Sequence, residues 1–255
     1  MAITYKVPEE SEHYKANSDF AIEKIGAIMK DAIDTKNNRI FIHTNLKRGL
    51  PLENINKVAG PFVEAWALEK FENIADDASN AYDLIHSEAG KRLDPFDMIL
   101  QFRKRAGAEY GVTANVDVKA TAEDIPNAGK SPNITSYARI RTEYVEDPDY
   151  IFIILSLKHK IFSEKQKDGM TNGVMEVVAY SVYDLKYISA ADLGYNPALG
   201  TGQLQIRDIH YVNLTQRTTW EFCQMLDEKY KRSRNHGEEG WLRLAQRFGW
   251  IKEAE

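Results

Sequence analysis

Apolar positions along this chain follow helical spacing at both ends and strand-like alternation in the middle. Ile22, Ile25, Met29, Ala32 and Ile33 predict an amphipathic helix from Ser18 to Thr35. Arg39 to His43 reads as a short strand, and Gly49-Leu50-Pro51-Leu52 breaks the chain. A second helix is expected from Lys57 to about Asp76, with Val63, Trp66, Ala67 and Ile74 on one side and Glu64 and Glu69 left over. Gly60-Pro61 marks either a kink in it or its true start. After a polar stretch come two alternating runs, Asp97 to Phe102 and Asn115 to Thr121, separated by a basic, glycine-containing turn from Lys104 to Tyr110.

Ala122 to Pro132 has loop chemistry. Asn133 is then placed as the N-cap of a helix carrying Ile134, Tyr137, Ala138, Tyr144 and Val145. The most continuous apolar run, Tyr150 to Leu157, predicts a central strand buried on both faces. Met175 to Ile188 and Gln203 to Ile209 read as strands, and Thr218 to Arg232 and Glu239 to Lys252 as closing helices. The expected fold is α/β (mixed α+β), with one main sheet flanked by helices.

The two middle strands carry the candidate chemistry. Residues two apart on a strand share a face, so Asp117, Lys119 and Thr121 are expected to meet solvent while Val116, Val118 and Ala120 meet a core. Asp97 opens the preceding strand. An acid at the start of one strand and D-x-K on the next is the order of a Mg²⁺-dependent nuclease site. The triplet alone decides nothing, because the chain has four, beginning at Asp34, Asp117, Asp184 and Asp227. Those at Asp34 and Asp227 fall at helix ends, where acid and base usually form a solvated surface. Asp184-Leu185-Lys186 is the serious rival, but its nearest upstream acids, Glu176 and Asp168, open no separate strand.

Composition narrows the class. The chain has 255 residues, enough for one large domain with a substantial core. No apolar run approaches a membrane span and no secretory signal opens the chain, so a soluble, cytoplasmic protein without membrane association is expected. The single cysteine, Cys223, shares a helical stripe with Phe222, Leu226 and Tyr230, which suits a small core residue better than a nucleophile. A net charge of −5 argues against a protein that grips phosphates over its whole surface, yet allows cations concentrated along a cleft.

Other constellations fail on spacing. Gly129-Lys130-Ser131 ends like a phosphate loop, but the glycine required five residues earlier is Asp124, and Pro126 stiffens the loop. The six histidines have no metal-ligand spacing, and C-x-x-C and G-x-S-x-G motifs do not occur. Asn196 to Gln203 combines two glycines with amide and hydroxyl groups, which suits either a tight connection or close approach to the edges of bases.

Three runs carry a resemblance: Asn45 to Lys57 (NLKRGLPLENINK), Lys130 to Ser136 (KSPNITS) and Tyr195 to Gln203 (YNPALGTGQ). Together, within a likeness from about Val7 to Lys252, they resemble the HpaI family of type II restriction endonucleases. More distantly, Asp97, Asp117-Val118-Lys119, Pro132-Asn133-Ile134 and Gln203-Leu204-Gln205 resemble the HincII and EcoRV branch of PD-(D/E)xK nucleases. In that family the proline directly precedes the first acid, whereas here Phe96 intervenes after Pro95 and makes Asp94 a competitor to Asp97.

The resemblance implies a restriction-endonuclease-like core and one domain over 1–255, with a largely helical part at 1–76 contributing to a homodimer. It also implies cleavage of double-stranded DNA at GTTAAC with Mg²⁺ and blunt ends, and a cognate methyltransferase as functional partner. On that expectation Asp97, Asp117 and the Val118 carbonyl hold the metal, Lys119 positions water, and Glu64 adds a further carboxylate. Lys130, Ser131, Asn133 and Thr135 are then candidates for contacts near the centre of the site, and Asn196, Thr201, Gln203 and Gln205 for the major groove. The alternatives are a DNA-binding protein that does not cut and a P-loop NTPase.

Overall fold

In the computed structural model, which describes residues 3–48, 55–91, 93–103, 111–198, 200–233 and 236–252, the elements follow in this order. They are β1 (Thr4–Tyr5), α1 (Tyr14–Asp34), β2 (Arg39–Ile42), α2 (Ala59–Ala75), β3 (Leu84–Ala89), β4 (Met98–Phe102), β5 (Val112–Ala122) and β6 (Asn133–Ser136). Then come α3 (Tyr137–Glu146), β7 (Phe152–Lys165), β8 (Thr171–Asp184), β9 (Leu193–Asn196), β10 (Gln203–Ile206), α4 (Thr219–Lys231), α5 (Gly237–Arg247) and β11 (Ile251–Lys252). The predicted breaks at Gly49 to Leu52 and Lys104 to Tyr110 lie outside the described residues. The chain divides into two compact units: Asp19–Gly129 with Ile153–Tyr183, and Met1–Ser18 with Lys130–Phe152 and Asp184–Glu255.

The first unit is built on a mixed six-stranded sheet of order β2-β8-β7-β5-β4-β3. Its interior position explains the apolar run, since every residue of β7 from Phe152 to Leu157 is buried. β4 and β5 are antiparallel, with Met98 opposite Val116, Leu100 opposite Ala114 and Phe102 opposite Val112, so the predicted alternation holds. Phe20 of α1 meets Phe102 edge-on at 6.1 Å, which places α1 on this apolar face. α2 packs against β3 and β5 and buries Val63, Trp66, Ala67 and Phe71. It starts at Ala59, so Gly60-Pro61 lies in its first turn and does not kink it.

β3 is a correction, because Leu84 to Ala89 falls in the stretch expected to be merely polar. Among the described residues it is an edge strand paired only with β4, and only Leu84 of its six residues is buried. An edge strand with one buried residue carries almost no hydrophobic alternation to read.

The second unit holds a three-stranded sheet, β6-β10-β9, and the pair β1-β11. Asn133 is not an N-cap. Asn133–Ser136 is a strand paired with β10, and the helix begins at Tyr137. The last helix ends at Arg247, beyond which Gly249 takes a positive φ of 67° and Ile251–Lys252 pairs with Thr4–Tyr5 instead of continuing the helix. α4 starts where predicted, with a capping box between Thr218 and Glu221. In its core, Arg141 is fully buried, bonded to Asp227 at 3.0 and 3.1 Å and stacked over Trp250. Cys223 is buried as expected. Among the described residues, no helix is long and apolar enough to cross a membrane.

Candidate active site

The sheet register brings the acids of two strands together. The Asp97 N–H donates to Val116 O at 2.9 Å, and the Asp97 carboxylate accepts from Val118 N–H at 2.7 Å. Since Met98 pairs with Val116 on the apolar face, Asp97 and Asp117, one residue along each strand, share the opposite face. Lys119 lies two residues beyond Asp117 on that face, and its Nζ donates to Asp117 Oδ1 at 2.7 Å and to Val118 O at 3.4 Å. Asp94 instead accepts from Lys91 N–H in the preceding turn.

This face is less open than the alternation predicted, with Asp117 4% and Thr121 7% exposed. Burial has a direct electrostatic consequence. Desolvation pushes Asp117 up to about 7, with Asp97 and Glu64 adding repulsion and Lys119 opposing them. Desolvation works to lower the Lys119 ammonium, but Asp117, Asp97 and Glu64 outweigh it and raise the group overall, so it stays protonated. Glu64 on α2 is itself raised, by burial and by Asp97, which places its carboxylate within electrostatic reach of the trio.

Asp117 Oδ2 is buried and has no hydrogen-bond partner among the described residues. A buried carboxylate oxygen with nothing to accept from carries a desolvation cost that a hard cation would relieve. Among the described residues, no three His, Cys, Asp or Glu side chains form a ready-made metal cage. The donors at hand are two carboxylates and a backbone carbonyl, all oxygen. That set fits a magnesium-like ion, which keeps waters and takes further oxygens from a phosphate substrate. Asn115, buried on the same face two residues before Asp117, stands outside the sequence-predicted set, although the same period of two would have included it.

The rival triplet is occupied. Asp184 accepts from Tyr14 Oη, Ser18 Oγ and Lys186 N–H, while Lys186 Nζ donates to Glu10 at 2.6 Å. The Gly129-Lys130-Ser131 segment cradles no anion either, because Lys130 is ion-paired with Asp208 and Ser131 N–H donates to Arg207 O.

The remaining predicted residues lie in the second unit, mostly on its three-stranded sheet. Gln203 pairs in register with Asn196 on one side and Ser136 on the other. Gln205 Nε2 donates to Asn133 Oδ1 at 3.0 Å and to Ser131 O at 3.1 Å, and Thr201 Oγ1 lies 3.0 Å from Ser136 Oγ. Leu204 and Ile206 are buried while Gln203 and Gln205 are half-exposed, so the amides form a polar face on a rigid element. Thr135 is buried and Lys130 is tied to Asp208, so neither joins that face. Gly202 makes the turn possible: its φ is 87°, and a Cβ there would lie 2.1 Å from Tyr195 Oη.

A mixed sheet with helices on its faces, an acid opening one strand and Asp-x-Lys on the next define a nuclease core of the restriction-endonuclease kind. The sequence model described as Type II restriction endonuclease HpaI matches residues 1–249, and the chain belongs to that family. It is 53% identical over 252 residues to "Type II restriction enzyme HpaI" of Haemophilus parainfluenzae, covering 98% of this chain and 98% of that protein. The protein is a DNA-cleaving enzyme acting on double-stranded DNA. That excludes both the non-cutting DNA binder and the NTPase.

Proposed function

We propose that the enzyme is a homodimer that hydrolyses both strands of GTTAAC at its centre, with Mg²⁺, leaving blunt ends with 5′-phosphate and 3′-hydroxyl. The reading is carried by one observation: Asp97, Asp117 and Lys119 converge on one face with Asp117 Oδ2 unpartnered. Asp97, Asp117 and the Val118 carbonyl would hold the ion, and Glu64 would serve as a further carboxylate. When bound, the ion supplies charge stabilisation for the phosphoryl oxygens and the leaving 3′ oxygen.

The chain's own groups do the rest. Lys119, held protonated by its acid neighbours, donates to the attacking water and favours its hydroxide form. Oxygen from water bonds to phosphorus as its proton passes to bulk water, the bond from phosphorus to the 3′ oxygen breaks, and that oxygen takes up a proton from bulk water. Asp97 ties its carboxylate to the Val118 amide and so fixes the two strand ends relative to each other.

A palindrome read by a two-fold dimer requires each subunit to recognise half a site. Residues 1–76, which carry α1 and α2, contribute to the subunit contact, and the whole chain acts as one restriction-endonuclease domain. Asn196, Thr201, Gln203 and Gln205 offer amide and hydroxyl groups to the major groove, where Asn and Gln bond adenine bidentately. Lys130, Ser131 and Asn133 act near the central TA step, with buried Thr135 supporting their segment from within, and the easy unstacking of that step supplies part of the discrimination. In the cell the enzyme works in the cytoplasm beside a methyltransferase that shields GTTAAC. Incubating plasmid with protein and Mg²⁺ tests this. Ligatable blunt fragments that begin and end within GTTAAC are expected, and overhanging ends, another sequence or an uncut plasmid would refute it.

A further inference from the structure

We propose that the corner where residues 43–48 meet the turn between β7 and β8 docks the phosphate backbone of duplex DNA flanking the cleaved sequence. Hydrogen bonds join residues 43–48 to the first two residues of β8, Asn172 Nδ2 lying 3.1 Å from His43 Nδ1 and Thr171 making three more. Thr171 N–H donates to Leu46 O at 2.9 Å, Thr171 Oγ1 to Lys47 O at 3.3 Å, and Thr44 Oγ1 to Thr171 O at 2.7 Å. The corner they build presents Lys47, Arg48, Lys165 and Lys167, all exposed.

None of these four cations has a carboxylate within ion-pair distance among the described residues, whereas Lys24, Lys130 and Lys160 are paired with Asp83, Asp208 and Glu176. Of the neighbouring acids, Asp168 in the turn accepts from Met170 N–H and Glu164 near the end of β7 pairs with Arg39 at 3.4 Å. In a chain of net charge −5, four cations unpaired among the described residues and gathered at one hydrogen-bonded corner match a polyanion, and counterion release on contact would drive its binding.

The distance from the site says which part of the DNA this is. Thr121 Oγ1 reaches Leu157 O, and Glu123 N–H reaches His159 O, so β5 and β7 advance together in the same direction. Lys119 lies four residues before Glu123 and Lys165 six after His159. At about 3.3 Å per residue the basic corner is roughly 30 Å from the catalytic lysine. Duplex DNA rises about 3.4 Å per base pair, so a span of that length exceeds half of a six-base-pair site. This step rests on the proposed GTTAAC reading. The contacts therefore fall on flanking phosphates and read no sequence.

The test is binding without divalent metal, with duplexes carrying GTTAAC or a scrambled core inside flanks of about 3 or about 15 base pairs on each side. Wild-type protein should bind the long duplex at least about tenfold more tightly, with a steeper dependence on salt. Lys47→Ala with Arg48→Ala, or Lys165→Ala with Lys167→Ala, should each flatten the slope of log affinity against log salt by about 2 on the long duplex. On the short one the variants should match wild type.

Equal wild-type affinity for short and long duplexes, or variants with an unchanged salt slope on long DNA, would overturn the proposal. Loss of discrimination between GTTAAC and the scrambled core, with the flank effect intact, would refute the site reading while supporting the corner. The length series on wild-type protein needs no variant to fold.

Discussion

The same triplet, Asp-x-Lys, stands on β5 and at the end of β8, and the two copies have opposite fates. At Asp184 every strong bond is made: two hydroxyls and an amide serve the carboxylate, while Lys186 serves Glu10 and lies 3.0 Å from the centroid of the Tyr14 ring. At Asp117 one oxygen pairs with Lys119 and the other is left without a partner. Burial disfavours the charged form of both lysines. It prevails at Lys186, which is lowered, and loses at Lys119, where Asp117, Asp97 and Glu64 raise the group. A buried charged group whose hydrogen bonds are all made needs no ligand. An unsatisfied one is tolerated where a ligand completes it.

The largest effect should separate the two copies by chemistry. Lys119→Ala or Asp117→Asn should slow single-turnover cleavage by about 10³-fold or more while duplex binding persists. Cleavage that survives either change at near wild-type rate would remove β5 as the catalytic strand. Next comes stability: Lys186→Met strands the Glu10 carboxylate beside Thr219 and should cost about 3 kcal/mol in urea unfolding. Cleavage per folded molecule should be unaffected, and a catalytic defect without a stability loss would reverse the assignment of the two triplets.

A pH series sharpens the contrast. Because folding raises Asp117 to about 7, the native state holds a proton there that the unfolded chain has released. This contribution to stability is present at low pH and disappears as pH rises from about 4 through about 7. Cleavage, which needs the carboxylate ionised, should rise through the upper part of that window, with bound cation drawing the midpoint down. Glu64→Gln removes a charge that raises Asp117, so the midpoint of the single-turnover pH profile should move lower still. A shift upward would exclude Glu64 as a neighbour of the site. The smallest effect belongs to the satisfied copy, where Tyr14→Phe deletes one bond to Asp184 and should cost about 1 kcal/mol in thermal unfolding with no change in cutting.

Much of this was legible in the chain itself. Period-two alternation located β4 and β5, and the apolar run at Tyr150 to Leu157 located the buried heart of β7. The order of an acid, then Asp-x-Lys, favours Asp117 over Asp184 in the sequence itself. Edge strand β3, the short β6 that replaced a predicted helix start, and the terminal pairing of β1 with β11 were not legible. Their residues bury little, and what fixes them is a backbone partner distant in sequence.

The sequence by itself settled which side chains could share a face, because strand geometry acts between neighbours in the chain. Only the tertiary structure decided what that face became. α2 brought Glu64 toward Asp97, desolvation raised Asp117, and no donor arrived for its second oxygen. Burial and unsatisfied bonding are sums over groups far apart in sequence, so no local pattern of residues encodes them.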